Sequence, residues 1–325
     1  DMAIVRTRLQ WIMCITGLIF LFLLPLFLPG SLVGLVNVIA ITLVATLGLN
    51  ILTGYCGQIS IGQAAFMGVG AYSSVLLTTK LGLPFGVALI GAALISGLAG
   101  IIFGLPALRV KGFYLVMATL AAQFIIPALI INIRPDITGG TTGLTASLPQ
   151  IGGTVCNTQR SIFYIIIPIA GLMTFFAKNL VRTGVGRAFI AIRDNDLAAE
   201  VQGINIFRYK LLAFFICSAY AGVAGSLWSI FVRHISPDQF TLMNSIWFLG
   251  MVTVGGLGSI AGTCFGTTLI KALEHFTRMI TIGGFRVAVL PPILIGLVIV
   301  LCLVFEPRGL AHRWELFKTS YRLRP

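Results

Sequence analysis

Long apolar stretches recur along almost the whole chain, and they decide what it can fold into. Runs of about 17 to 25 residues, rich in Gly and Leu, have the length that a helix needs to cross the hydrocarbon core of a bilayer. With 58% hydrophobic and 10% charged residues, the chain has too little polar surface to cover a soluble globule. The runs also lack the alternation of a membrane barrel. We therefore predict an all-α integral membrane protein, a polytopic helical bundle forming a single transmembrane domain over residues 1–325.

The apolar stretches divide into about ten spans. The first could pass for a signal peptide, but it is long enough to span and offers no small-residue cleavage site, so we interpret it as a span. The ten predicted spans lie near residues 9–29, 32–53, 58–79, 84–106, 112–131, 161–177, 211–231, 241–257, 262–280 and 287–305.

The positive charges lie at the ends of these spans and indicate orientation. A net charge of +13 in a soluble protein would suggest nucleic acid, whereas cations flanking apolar spans follow the positive-inside rule. Most of them fall inside if both termini, the loop 178–210 and the tail 306–325 are cytoplasmic. The polar, Gly- and Thr-rich loop 134–160 is then extracytoplasmic. We expect a lipid membrane and no nucleic acid as the surroundings of this chain.

One charged passage interrupts the apolar spans. It covers residues 183–210, TGVGRAFIAIRDNDLAAEVQGINIFRYK, and it must lie in water. Asp194, Asn195 or Asp196 can each accept a hydrogen bond from the free amides that open a helix, and Gly203 can adopt the left-handed conformation that closes one. The pattern predicts a helix of roughly two turns between them.

The residue composition of this short helix favours docking on another protein. Small or apolar residues would leave a face suited to a groove; they are Leu197, Ala198, Ala199 and Val201. We expect Arg193 and Glu200 to make polar contacts with the partner, and Ala199 to allow its close approach. A plain solvated loop is the alternative.

Two glycine clusters are candidates for a solute pathway. Small residues let a helix, an unwound turn or a solute approach the backbone, so close helix packing is the competing interpretation. Amides at membrane depth favour a wet cavity or a protein partner. The candidates in the first cluster are Gly57, Gln58, Ser60, Gly62 and Gln63. The second cluster, VGGLGSIAGTCFG, weakly echoes the first and suggests an internal repeat; its candidates are Gly255, Gly256 and Gly258.

A third polar feature is a set of charges in the ninth predicted span. Lys271, Glu274, His275 and Arg278 lie within eight residues of one another, and Glu274 with Arg278 has the spacing of a pair on one helical face. The charges can reach water by snorkelling near the outer end of the span. A proton or ion path is the sharper alternative, and it would make the chain an ion-coupled secondary transporter or a channel.

Bond chemistry has no support in the sequence. The six cysteines are scattered without metal or disulfide spacing, and the lone His234 is a weak metal candidate. No His-Glu-x-x-His run, intramembrane aspartate pair or Walker motif is present. We expect no catalytic residue and no metal, and any ATP consumed in transport must be hydrolysed by another chain.

Taken together, five motifs resemble one known family, the LivM-like permease subunits of branched-chain amino acid ABC importers. They lie in family order from about residue 47 to residue 310 and read GLNILTGYCGQISIGQAAFMGVGAY, GVGRAFIAIRDNDLAAEVQGINIFRYKLLAF, ISPDQF, MVTVGGLGSIAGTCFG and FEPRGL. The same subunit type is associated with urea, amides, and aromatic or dicarboxylic acids, so the solute can differ within the resemblance.

The resemblance implies a function and a set of partners. A bacterial inner-membrane permease of this type works by alternating access with a LivH-like second permease, two cytoplasmic ATPase subunits that bind ATP and Mg, and a periplasmic or surface solute-binding protein. It binds no cofactor itself. The loop between the sixth and seventh spans becomes the coupling element, and the residues then assigned to coupling are Arg193, Asp194, Asn195, Asp196, Ala199, Glu200 and Gly203.

Overall fold

The computed structural model is an almost entirely helical bundle. It describes residues 29–107, 113–151 and 158–279, together with residues 25, 154–155, 281–282, 285–286, 290–306 and 309–310. The helices are α1 (Gly30–Leu49), α2 (Gln63–Thr79), α3 (Phe85–Ala107), α4 (Phe113–Asn132), α5 (Pro135–Thr138), α6 (Gln159–Arg182), α7 (Gly184–Asp194), α8 (Asp196–Val201), α9 (Ile206–Val232), α10 (Leu242–Gly255), α11 (Ile260–Met279) and α12 (Leu290–Phe305). The strands are two-residue pairs: β1 (Leu144–Thr145), β2 (Gln150–Ile151), β3 (Thr154–Val155), β4 (His234–Ile235), β5 (Thr281–Ile282) and β6 (Phe285–Arg286).

Five helical segments are long and apolar enough to cross a membrane. They are Gly30–Tyr55, Phe85–Pro106, Leu115–Asn132, Gln159–Arg182 and Ile206–Val232, and they coincide with the second, fourth, fifth, sixth and seventh predicted spans. The third, eighth, ninth and tenth predicted spans correspond to α2, α10, α11 and α12, which are helical but fall short of the same length or hydropathy. Nearly all of the first predicted span and of the tail 306–325 lies outside the described residues. The helical membrane class is confirmed, and the count of ten stays a prediction.

Helix α9 occupies the centre of the bundle because its small residues let neighbours approach closely. It packs along α2 and α3. A side chain at Gly222 would meet the Ala92 carbonyl oxygen and Ser96 Cβ, each at 2.7 Å, and one at Gly225 would collide with the Met67 carbonyl oxygen. In a membrane, helix association relies on such close packing rather than on the hydrophobic effect. The glycines of these central helices therefore serve packing.

The first glycine cluster breaks the chain between α1 and α2. Helix α1 continues as a π-helical segment, Asn50–Tyr55, and α2 starts only at Gln63. The free amides at this buried helix start are satisfied by other helices: Ala64 N–H donates to Ser245 Oγ at 2.9 Å, and Ala65 N–H donates to Gln123 Oε1 at 3.1 Å. Without such partners these donors would be stranded in the bundle interior. The break between α1 and α2 is thus stabilised by side chains of other helices.

The charged passage folds as predicted at its centre. Helix α8 is capped by Asn195, whose side-chain oxygen accepts from Ala198 N–H at 3.1 Å, and Gly203 follows with φ of +84°. The prediction of a short helix ending before Gly203 is confirmed, and the structure selects Asn195 among the three candidate caps. We call the end of the bundle where residues 183–205 lie the charged end.

Two loops pair at the opposite end. Strand β1 pairs antiparallel with β4, Ala146 N–H donates to the Arg233 carbonyl oxygen at 2.7 Å, and His234 Nε2 lies 2.9 Å from the Thr142 carbonyl oxygen. Residues 142–146 of the predicted polar loop are therefore joined to residues 233–235. We call this the loop end.

Candidate functional site

A cluster of contacts at the charged end joins both glycine clusters to the charged passage. Arg193, in the last turn of α7, donates from Nη1 to the Gly54 carbonyl oxygen at 2.9 Å. The same side chain lies against Gly57 and Gly258. We define the Arg193 junction as Asn50, Gly54, Gly57, Arg193 and Gly258. Its members come from three separate parts of the chain and meet where the π-helical segment ends.

Asn50 ties the two glycine clusters together. It is completely buried, its Oδ1 accepts from Gly258 N–H at 2.9 Å, and its Nδ2 donates to the Ser259 carbonyl oxygen at 3.2 Å. One amide thereby satisfies two backbone groups in the turn between α10 and α11. Sequence reasoning missed Asn50, although an amide inside an apolar span is a signal in itself.

Two junction positions strongly favour glycine. Gly57 and Gly258 have φ of +73° and +77°, in the left-handed region that residues with a Cβ avoid. A Cβ at Gly57 would lie 2.9 Å from Arg193 Cγ, and one at Gly258 would lie 2.9 Å from Arg193 Nη1. The absence of side chains is therefore what lets the guanidinium reach the Gly54 carbonyl oxygen.

Arg193 is hydrogen-bonded within the chain, and its contact with a partner stays a prediction. Its Nε and Nη2 both donate to Asp194 Oδ1, at 3.2 and 3.1 Å, and Nη1 is used by Gly54. The guanidinium is thus engaged within the chain, and Arg193 links the charged passage to the membrane helices. Glu200, the other expected polar contact, is exposed.

Helix α8 exposes most of the predicted apolar face but buries Ala199. Ala199 is 1% exposed and packs into the chain, so its side chain does not lie on a surface that a partner can approach. Leu197 and Val201 are 68% and 89% exposed and lie on one face, since residues four apart are neighbours on a helix. The Asp196 carboxylate pairs with Lys210 Nζ at 2.8 Å, which fastens the helix to the start of α9.

A cavity of about 1000 Å³ opens beside the junction. Its wall includes Gln58, Arg193, Asp196, Glu200 and Lys210. Both polar atoms of the Gln58 amide are buried without a hydrogen-bond partner in the described part of the chain. A buried amide without hydrogen-bond partners is costly, and Gln58 carries this cost in the wall of the cavity.

The other pathway candidates lie in packed surroundings. Gln63 is completely buried; its Nε2 donates to the Ala45 carbonyl oxygen at 2.8 Å, and its Oε1 accepts from Cys217 Sγ at 3.0 Å. Ser60 Oγ accepts from Gly62 N–H at 3.4 Å. In the second cluster, Gly255 contacts the Gly262 backbone, and Gly256, with φ of +115°, ends α10. The packing interpretation describes these positions in this structure, and their part in a pathway stays a prediction.

The charges of α11 form one cluster. Glu274 Oε2 accepts from Lys271 Nζ at 2.9 Å, and Glu274 Oε1 accepts from Arg278 Nη2 at 2.6 Å. The predicted pairing of Glu274 with Arg278 is confirmed, and Lys271 joins it. The Nε2 atom of His275 is buried and has no partner among the described residues.

No group of three His, Cys, Asp or Glu residues in the described part of the chain is arranged to hold a metal ion. The groups that the structure assembles are a buried amide clamp, a guanidinium link, an exposed apolar helix face and an ionic cluster in a helix. Apolar membrane helices with these features define a multi-pass membrane protein.

Comparison with known proteins gives the family. Residues 31–305 match the family described as branched-chain amino acid transport system / permease component. The chain belongs to this family. It is a permease component of an ABC importer, and the relatives that it matches are named as permease proteins.

Three relatives illustrate the similarity. The high-affinity branched-chain amino acid transport system permease protein LivM of Salmonella typhimurium is 30% identical over 316 residues, covering 88% of this chain and 71% of that protein. LivM of Escherichia coli K12 is 29% identical with the same coverage. The probable LivM of Methanocaldococcus jannaschii is 30% identical over 233 residues, covering 69% of this chain and 67% of that protein. No solved structure matches the chain.

Proposed function

We propose that this chain imports branched-chain or closely related amino acids by alternating access, driven by ATP that separate subunits hydrolyse. The names of the three relatives support the solute class. One observation supports the mechanism: α8 exposes an apolar pair at the charged end, and the adjacent Arg193 joins α7 to the membrane helices. A helix that is open on one face and fastened on the other is suited to receive force from a partner.

The partner on α8 is an ATPase subunit in this proposal. Leu197 and Val201 insert into a groove of that subunit, a recurring mode of helix recognition. Asp194, Asn195 and Gly203 shape the ends of the helix, and Asp196 fastens it through Lys210. Exposed Glu200 provides a polar contact. Two ATPase chains that bind ATP and Mg²⁺, a LivH-like second permease and a solute-binding protein complete the assembly, and this chain itself binds no cofactor.

The route from the ATPase to the pathway runs through the Arg193 junction. A displacement of α8 moves the end of α7, and Arg193 contacts Gly54, Gly57 and Gly258 directly. Both glycine clusters therefore receive the same displacement at the same point. Rigid helices that move about a few hinge positions are one of the common forms of switching.

The topology in this proposal has ten spans in one domain, residues 1–325, with both termini in the cytoplasm. Loop 178–210 and tail 306–325 are cytoplasmic, and loop 134–160 is outside. The cations of the charged passage support this orientation, since short cytoplasmic loops carry an excess of Lys and Arg.

Uptake into proteoliposomes tests the function. The chain is purified with its partner subunits and reconstituted with ATP in the lumen, and the binding protein, loaded with radiolabelled L-leucine, is added outside. We expect uptake that requires ATP and stops with a non-hydrolysable analogue. Uptake that follows a proton or sodium gradient without ATP would contradict the proposal and support the ion-coupled alternative.

Substitutions on α8 test the docking face. Leu197→Asp and Val201→Asp together should abolish copurification of the ATPase subunits, because two carboxylates would have to enter an apolar groove. Leu81→Asp is the matched control, since Leu81 is 66% exposed and lies between α2 and α3, far along the chain from α8. An ATPase that stays bound to the α8 variant would refute the assignment of this face.

A further inference from the structure

Helix α6 carries a continuous outward stripe of bulky apolar side chains. Leu172, Phe175 and Phe176 are each just over half exposed, whereas Ala170 and Ala177 are buried. At about 100° per residue, the exposed and the buried side chains lie on opposite faces of the helix. Helix α6 is one of the five segments that are long and apolar enough to cross a membrane. A bulky exposed stripe on such a helix suits lipid acyl chains, since helix–helix contacts in membranes favour small residues.

Two cations continue this stripe where α6 reaches the charged end. Lys178 and Arg182 are exposed and lie one turn apart, so they are neighbours on the helix surface. Arg182 is seven residues beyond Phe175, which places it roughly 20° from the same line along the helix. The 24 residues of α6 span about 36 Å, which is about 6 Å more than the hydrocarbon core. With α6 centred in the core, Arg182 lies at the level of the lipid headgroups and Lys178 can reach them by snorkelling.

A third cation lies beside them because the chain turns tightly from α6 into α7. Thr183 ends α6 and also precedes the first residue of α7, and Arg187 N–H donates to the Thr183 carbonyl oxygen at 3.1 Å. A Cβ at Gly186 would collide with the Val181 carbonyl oxygen, so the first turn of α7 packs on the end of α6. Arg187 is exposed at this corner. We define the corner cations as Lys178, Arg182 and Arg187.

The corner cations have no anionic partner within the described chain. None of the three forms an ion pair with a described residue. The acidic residues that follow the corner, Asp194 and Asp196, already form ion pairs with other cations of the charged passage. Three positive charges therefore meet at the end of an apolar stripe without a counter-charge from the described chain itself.

We infer that the corner cations bind the headgroup of an anionic phospholipid, whose acyl chains lie along Leu172, Phe175 and Phe176. The phosphate accepts charge-assisted hydrogen bonds from the guanidinium and ammonium groups, and basic clusters beside a membrane helix attract anionic lipids. The surface needs an occupant that is negative at one end and apolar along the rest, and an anionic phospholipid supplies both in one molecule. This inference goes beyond the proposed function and does not depend on which solute the permease carries.

Native mass spectrometry of the chain in detergent micelles tests this inference by counting bound lipids. Dioleoyl phosphatidylglycerol and dioleoyl phosphatidylcholine carry the same acyl chains and differ in the net charge of the headgroup. We expect the first phosphatidylglycerol to bind with a dissociation constant at least about fivefold lower than that of phosphatidylcholine, since each basic residue near the headgroups adds to the attraction. The corner variant should reduce this preference to within about twofold of none; it combines Lys178→Gln, Arg182→Gln and Arg187→Gln.

Two further variants separate this site from the overall charge of the protein. A scattered control removes three exposed cations that lie in different parts of the molecule, and it should keep the preference of the parent; its changes are Lys80→Gln, Arg134→Gln and Arg208→Gln. A charge-keeping variant should stay within about twofold of the parent, because the attraction depends on the positive charges; its changes are Lys178→Arg, Arg182→Lys and Arg187→Lys.

Three results would overturn the inference: equal binding of the two lipids by the parent, an unchanged preference in the corner variant, or an equal loss of preference in the scattered control. The third result would mean that only the net charge of the protein matters. If the corner variant kept its lipid preference and lost copurifying subunits, the corner cations would be a contact for an acidic partner surface instead.

Discussion

Removing the Arg193 guanidinium should loosen the junction, and Cys56 reports on it directly. Cys56 is 2% exposed and precedes Gly57, which packs on the Arg193 side chain. A maleimide can reach its thiol only when this region opens, so the labelling rate measures the opening equilibrium. The experiment uses a variant in which Cys56 is the only cysteine, with the Arg193→Ala change added.

The size of the effect follows from the hydrogen bond that the substitution removes. The bond from Nη1 to the Gly54 carbonyl oxygen is 2.9 Å long, and hydrogen bonds of charged groups contribute roughly 1.5–3 kcal/mol. The side chain of Arg193 is 38% exposed, so solvent competes and about 1–2 kcal/mol is a fair expectation. Labelling should then accelerate about 5- to 30-fold. Arg208→Ala, an exposed arginine of the same segment, is the control and should leave the rate unchanged.

A double-mutant cycle measures the coupling between Arg193 and Gly258. Gly258→Ala forces a Cβ into the left-handed region, at a cost of about 1 kcal/mol or more, and it also presses on Arg193 Nη1 at 2.9 Å. When Arg193 is already Ala, the second cost disappears. We therefore expect the double variant to be less open than the product of the single effects, with a coupling of about 0.5–1 kcal/mol. The proposed role of the Arg193 junction would be refuted if the free-energy effects of the two substitutions were fully additive. It would also be refuted if the labelling rate of Arg193→Ala stayed within twofold of that of the parent.

Three further outcomes follow from the same structure. Asn50→Leu strands two backbone groups of the α10–α11 turn and should destabilise the protein by roughly 2–4 kcal/mol, measured as a lower midpoint in thermal unfolding in detergent. Gly222→Val should overpack the α3–α9 contact by roughly 1–3 kcal/mol, whereas Gly296→Val, with no atom within 4 Å, should unfold like the parent. Burial raises the pKa of Cys56 from 9.0 to about 12, so the folded state binds the thiol proton more tightly than the unfolded state. The free energy of unfolding therefore falls by up to about 1.4 kcal/mol per pH unit above pH 9. Cys56→Ala should lose less stability than the parent between pH 9 and 11.

The sequence was sufficient to predict features that depend on interactions between residues close together in the chain. Asn195 and Gly203 bound α8 because a cap and a left-handed turn act within four residues. Glu274 and Arg278 pair because side chains four apart share a helical face. The family also followed from the sequence, since its motifs are contiguous strings.

The direction in which a side chain points could not be predicted from the sequence. Ala199 was expected at the partner surface and lies inside the chain, because which face of α8 turns inward depends on α7 and α9. Gln63 was a pathway candidate, yet it bonds Ala45 and Cys217 across two other helices. These outcomes depend on where whole helices sit.

The sequence by itself determined the membrane class, the short capped helix and the family, because apolar length, capping and contiguous motifs act over one span or less. Only the tertiary structure brought Asn50, Gly54, Arg193 and Gly258 together. Their contacts join positions about 140 to 210 residues apart, and no spacing rule connects positions so distant. Helix packing decides which groups meet there, and glycine at the meeting point leaves room for a guanidinium to reach a backbone oxygen.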